Sequence, residues 1–224
     1  MNLALCATGR SEEHLTAFGQ LLVHKEVTND LARMQRHAKA DGIALAIASS
    51  FRSFERQRMI WNNKFFGLRP VFDGNNERVD LTRLSEQQCI EAIMLYSALP
   101  GASRHHFGTD MDVWDTNAVA ADYELQLSSD EYGETGPFAR LNAWLDEYLN
   151  DYGFFRPYRE YRGGVAAEPW HISHIEMATM MQKSQNIDAI ADAINNAELG
   201  GKAHILSHLD ALYQRYVDNI CNVS

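Results

Sequence analysis

Apolar residues recur at helical spacing across residues 26–40, where Val27, Leu31 and Met34 share a face and Asp41-Gly42 stops the run. Residues 43–48 are apolar without interruption and predict a short buried strand. That strand empties into Ser49-Ser50-Phe51-Arg52-Ser53, and Ser53 can cap a helix reaching about Phe65. Gly, Pro, Asn and Asp crowd residues 67–78 and predict a loop. Ser85 with Gln88 makes a capping box for a helix over residues 85–98. Alternation across residues 109–114 then predicts a strand, with Thr109, Met111 and Val113 on one side and Asp110, Asp112 and Trp114 on the other. A helix is expected over residues 137–151, with Gly153 just past its end, and a short strand over residues 168–172. Beyond Ser173 the spacing is helical again, through Ile187, Ile190, Ala191 and Ile194. After Gly200-Gly201 it continues through Ile205, Leu209, Leu212, Tyr216 and Ile220. Strands mixed with helices and followed by a helical tail make an α+β pattern.

Composition narrows the function more than the fold. The 224 residues carry 20 Lys+Arg against 30 Asp+Glu, a formal charge of −10, which argues against binding a nucleic-acid backbone. No stretch approaches the roughly 18 apolar residues that span a bilayer. The start lacks a basic segment and a long apolar run, so no export signal is visible. A cytoplasmic location is expected, or a periplasmic one if the natural start lies upstream. Cys6, Cys89 and Cys221 are too scattered for a disulfide framework or a metal knuckle and are expected as free thiols.

Three polar clusters fall at strand ends: Ser50-Phe-Arg52 with Gln57, the run from Ser103 to Asp112, and Glu168-Pro-Trp-His171. Two histidines and one carboxylate are the ligands zinc prefers at a hydrolytic site, with a fourth position left for water. His105 and Asp112 can converge if Gly108 permits a sharp turn, and His171 must arrive from the distant segment. Glu168, three residues before His171, brings a carboxylate beside the metal without being a ligand, where a general base belongs. Pro169 is expected to extend the chain between them. The other histidines read as bystanders. His14, His24 and His37 are expected at the surface, and His204 and His208 as an exposed pair. His106 yields its place to His105 by spacing, and His174 reads as structural. Met177, Met180 and Met181 read as helix core. The aromatic cluster from Tyr148 to Tyr161 does too, with one tyrosine in a substrate cleft.

The segments Ser103-x-His105-x-x-Gly108-x-Asp110-x-Asp112 and Glu168-x-Trp170-His171 resemble the SxHxxGxAxD and ExxH signatures of the zinc D-alanyl-D-alanine carboxypeptidases and dipeptidases, the VanY- and VanX-like group of LAS metallopeptidases. Ser50-Phe51-Arg52-Ser53 with Gln57 is similar to that group's S-G-Y-R-S-x-x-x-Q segment, and the likeness covers residues 26–173. It implies a small central antiparallel sheet flanked by helices, as in lysostaphin-type endopeptidases and the Hedgehog signalling domain. A zinc peptidase domain over residues 1–174 is then expected, with a helical extension, residues 175–224, packed on it. By the resemblance His105, Asp112 and His171 hold one Zn²⁺ per chain, and Glu168 is the catalytic base. Arg52 stabilises the oxyanion, and Ser103, Gln57 and Ser50 contact substrate. The implied substrate is a peptidoglycan stem peptide ending in D-Ala, cleaved by a carboxypeptidase. A dipeptidase, an L,D-carboxypeptidase and a silent zinc- or peptidoglycan-binding module stand as alternatives. Asp110 departs from the group's usual small residue, and Ile172-Ser173-His174 departs from its usual ending.

Overall fold

A computed structural model describes residues 1–223. A short helix α1 (Leu3–Ala7) leads into a hairpin of β1 (Leu15–Phe18) and β2 (Leu21–His24), closed by Gly19-Gln20 with Gly19 at φ +62°. A two-residue hairpin turn of this kind needs positive φ at its first central position. After α2 (Thr28–Ala40) come β3 (Leu45–Ser49), α3 (Phe54–Phe65), α4 (Glu86–Met94), β4 (Asp110–Asp115), α5 (Ser129–Tyr132), α6 (Ala139–Tyr148), β5 (Phe154–Phe155) and β6 (His171–His174). The tail folds as α7 (Ile175–Ser184), α8 (Ile187–Asn195), α9 (Lys202–Ser207) and α10 (Leu209–Tyr216). Ser53 caps α3 by accepting the Arg56 N–H, and Ser85 with Gln88 completes the capping box of α4.

The central sheet is antiparallel with strand order β3-β4-β6-β5. One face of β4 and β6 presents Met111, Val113 and Ile172, which are fully buried with Leu31 and Met34 of α2 and Leu141 and Leu145 of α6. A second core, mostly helical, joins Trp61 of α3 and Ile90, Ile93 and Met94 of α4 to Ile190, Ile194, Ile205, Leu209 and Leu212 of the tail. The Trp61 indole donates to the Gly200 carbonyl at 3.0 Å, tying the two halves of that core together. Between the sheet and this helical core lies an open cleft.

The structure departs from the sequence reading in three places. The 168–171 segment is not extended: the His171 N–H bonds the Glu168 carbonyl at 3.0 Å, closing a β-turn with Pro169 at the position that favours proline. The β1–β2 hairpin was not foreseen, and its packing buries His14 and His24 completely or nearly so. Burial lowers the pKa of both, His24 to about 4, so they are neutral core residues. His37 is half-buried and bonds the Tyr152 hydroxyl.

The backbone of Gly9 carries the chain past two functional segments. It sits at φ +71°, its carbonyl accepts the Phe54 N–H, and a Cβ there would meet His106 Nδ1 and come within 2.7 Å of Phe54 N. Gly9→Ala is therefore expected to destabilise the fold by about 1–3 kcal/mol from φ strain alone, with the clash adding to it. Thermal melting checks this. A melting temperature equal to the wild type's would contradict it.

Candidate active site

Three neighbouring strands place a row of side chains on the cleft face of the sheet. Asp112 of β4 pairs with His171 of β6 on one side and with Ser49 of β3 on the other. Directly opposed residues point to the same face. The β3–β4 register shifts between Ile47 and Ser49. Leu45 and Ile47 belong to the core face, and by simple alternation Ser49 would join them. The bulge re-aims it to the face of Asp112, where its hydroxyl accepts from Arg52.

His105 comes from a 3₁₀ turn (Arg104–Phe107) that ends at Gly108, whose φ of +68° reverses the chain into β4. Its Nδ1 donates to the Ser50 carbonyl at 2.9 Å, so Nε2 keeps its lone pair and lies 3.4 Å from Asp112 Oδ2. His171 is held the other way round. Its Nε2 donates to Asp110 Oδ1 at 3.1 Å, leaving Nδ1 free at 3.4 Å from Asp112 Oδ1 and 3.4 Å from Glu168 Oε2. Ligand atoms of His105, Asp112 and His171 all lie within 4.8 Å of one another. A backbone carbonyl and a carboxylate thus fix the two imidazole tautomers, as the outer partners of metal-bound histidines do.

Asp110 and Asp112 share this face, two carboxylates in a dry site. Burial alone would raise Asp110, but Arg104 at 2.7 Å, His171 and the Thr109 hydroxyl outweigh it and hold its pKa at about 2. Arg104 is itself buried, and its remaining donors reach Ser173 Oγ at 2.7 Å and Gln182 Oε1 at 2.8 Å. Asp112 likewise overcomes its desolvation through His105 and His171 and lies well below the carboxylate range. His171, facing Asp110, Asp112 and Glu168, is pushed well above the usual imidazole value despite its burial.

The residues fit a divalent cation. Asp112 Oδ1 and His171 Nδ1 are buried with no hydrogen-bond partner, an arrangement that costs ~1–3 kcal/mol per atom unless something takes up both. A cation bound here would displace the proton that the carboxylates favour on His171, and two imidazole nitrogens with one carboxylate oxygen are then a hydrolytic zinc donor set.

The remaining expected site residues divide. Arg52 lines the cleft, its guanidinium donating to Gln57 Oε1 at 2.8 Å and Ser49 Oγ at 3.2 Å. Ser103 and Glu168 line it too. Gln57 and Ser50 do not. Gln57 is fully buried, with its amide donating to the Ala98 carbonyl at 2.7 Å, so both ends of its side chain are occupied in holding Arg52. The Ser50 hydroxyl donates to the Leu22 carbonyl at 2.9 Å, and its own carbonyl orients His105. Ser50 is turned toward the hairpin and Gln57 toward Arg52 and Ala98, and neither lines the cleft. His106 is a strut. Its Nδ1 donates to the Arg52 carbonyl at 2.6 Å and its Nε2 accepts the Gly101 N–H, while burial lowers its pKa to about 3. His174 caps α7 and lies 3.4 Å from Asp30. Of the aromatic cluster, Tyr158 lines the cleft, its ring 5.0 Å from that of His171.

The cleft has a volume of about 740 Å³. Its walls follow Arg52 in sequence: the 69–76 loop on one side and residues 126–130 on the other. Lys64 and Tyr96 also line it, and neither carries a motif that would single it out.

The chain is similar to known proteins in sequence and in fold. The family model described as VanY, D-alanyl-D-alanine carboxypeptidase, matches residues 20–177. A D-alanyl-D-alanine carboxypeptidase of Enterococcus faecalis is 30% identical over 147 residues, 63% of this chain but 45% of that enzyme, so the chain spans less than half its length. VanYB, solved in complex with D-alanine-D-alanine, superposes with a TM-score of 0.53 at 22% identity, covering 82% of this chain and 89% of that one. A VanY D,D-pentapeptidase solved with Zn(II) gives 0.52 at 22% identity, covering 79% and 93%. At such identities the structural likeness establishes the fold, α+β with a small antiparallel sheet.

Proposed function

From its membership of the VanY family of D-alanyl-D-alanine carboxypeptidases, which residues 20–177 establish, we propose that this chain is a zinc carboxypeptidase removing the last residue of D-Ala-terminated peptidoglycan stem peptides. The observation that carries the reading is the convergence of His105 Nε2, Asp112 and His171 Nδ1 with Glu168 at one end of a cleft. His105, Asp112 and His171 would hold the zinc. When bound it supplies a Lewis acid that polarises the scissile carbonyl and lowers the pKa of a water to about 7, against about 16 in bulk.

The chain's own groups do the rest. Glu168 Oε2 takes the proton of the attacking water as its oxygen bonds the carbonyl carbon, and returns that proton to the amine as the C–N bond breaks. Arg52, held by Gln57 and Ser49, opposes the charge growing on the carbonyl oxygen, a contribution typically worth ~10²–10³ in turnover. Asp110 keeps His171 in the tautomer whose Nδ1 is free. The cleft lies open between the 69–76 loop and residues 126–130, which supports a peptide chain over a free dipeptide held in a closed pocket.

Mass spectrometry of muropeptides incubated with zinc-loaded protein tests the proposal. Loss of one alanine from pentapeptide stems, stopped by a chelator and restored by zinc, is expected. Cleavage confined to free D-Ala-D-Ala would make it a dipeptidase, and release only from tetrapeptide stems an L,D-carboxypeptidase. Zinc binding with no hydrolysis of any of these would make it a binding module.

A further inference from the structure

Four cations line the cleft, and the structure accounts for three. Arg104 is neutralised by Asp110. Arg52 lies by the metal cluster, its charge coupled to Asp112 and Glu168. Arg69 is exposed. Lys64, in the last turn of α3, is half-buried, and its ammonium donates to the hydroxyl of Ser97 at 2.7 Å. Among the described residues it has no carboxylate within salt-bridge distance, and an ammonium has three protons to give. A partly desolvated charge whose hydrogen-bond partner is a neutral hydroxyl is costly, and an anion docking beside it recovers that cost.

We propose that Lys64 binds the free C-terminal carboxylate of the peptide, so that cleavage depends on the presence of that chain end. This rests on the carboxypeptidase reading above. An exopeptidase has to distinguish a terminus from an interior bond, and a carboxylate is what distinguishes it. The helix supplies the reach. Gln57 of α3 supports Arg52, and Lys64 projects from the same helix two turns later, into the same cleft. Ser97, just past α4, fixes the ammonium from the opposite side. Desolvation brings Lys64 down to about 8, with Arg52 and Arg69 acting in the same direction and Glu168 against it. The free site is thus cationic at neutral pH and loses its charge just above.

The test uses N-acylated peptides ending in D-Ala-D-Ala, as the free acid and as the C-terminal amide, with wild type, Lys64→Met and Lys64→Arg. Wild type is expected to prefer the acid. Lys64→Met should lower kcat/KM for the acid about 10–100-fold, chiefly through KM, and lower it far less for the amide. Lys64→Arg should retain the preference. The wild-type kcat/KM for the acid should also fall above about pH 8, a limb that Lys64→Arg lacks; this comparison decides the matter if Lys64→Met does not fold. An acid-over-amide ratio unmoved in Lys64→Met overturns the inference and leaves the carboxypeptidase reading standing. So does a loss confined to peptides with an acidic side chain, which would make Lys64 a side-chain reader. Wild type that cleaves neither peptide overturns both.

Discussion

Glu168→Gln should leave the protein folded and zinc-loaded while lowering turnover by ~10²–10⁴. The side chain keeps its size, and the turn that presents it is built from backbone bonds, Glu168 N–H to the Tyr158 carbonyl and His171 N–H to the Glu168 carbonyl. An amide at this position still reaches toward His171 but cannot accept a proton from water at neutral pH. Metal content by elemental analysis and single-turnover rates on a D-Ala-terminated peptide read the two properties separately. A zinc-loaded Glu168→Gln protein with wild-type kcat would remove Glu168 from the chemistry. Loss of zinc along with activity would make it a ligand instead.

Asp110→Ala should be the most damaging single change outside the metal donors. Arg104 is almost wholly buried, and without Asp110 its remaining hydrogen-bond partners are Ser173 and Gln182, both neutral, beside the rings of Phe107 and Phe155. Stranding one member of a buried ion pair costs about 3–5 kcal/mol, or roughly 6–20 °C of melting temperature in a chain of this size. His171 Nε2 loses its acceptor at the same time, so zinc affinity should fall ~10–100-fold. If the ion pair is responsible for the stability loss, Arg104→Met combined with Asp110→Ala should recover part of it. A single variant melting within two degrees of wild type, about 1 kcal/mol or less, would refute the pairing argument.

Asp110 also marks how far the sequence could be read. Its presence in place of a small residue was plain, but whether it added charge near the metal or held a histidine depended on Arg104, a residue with no motif of its own. His105, Asp112 and His171 were legible because loop, glycine and strand alternation dictate where they point. Asp112 and His171 then proved to be direct cross-strand partners. Ser50 and Gln57 belong to a motif, yet a motif records that residues matter without recording which way they face. Both turned inward to hold His105 and Arg52. The bulge that sets Ser49 opposite Asp112 leaves no trace in the apolar run of residues 43–48, which reads the same with or without it. His14 and His24 read as surface residues because no carboxylate partner stands near them in the sequence, and their burial comes from a hairpin against which the Gly108 loop packs. Lys64 looks like any solvated helical lysine until α3 and α4 are brought together.

Crystals grown with zinc, with data collected across the zinc absorption edge, address the central claim most directly. One anomalous peak is expected, within bonding reach (about 2.0–2.2 Å) of His105 Nε2, an Asp112 oxygen and His171 Nδ1, with Glu168 alongside but not bonded. Zinc bound elsewhere, or those three side chains turned away from a common point, would contradict it.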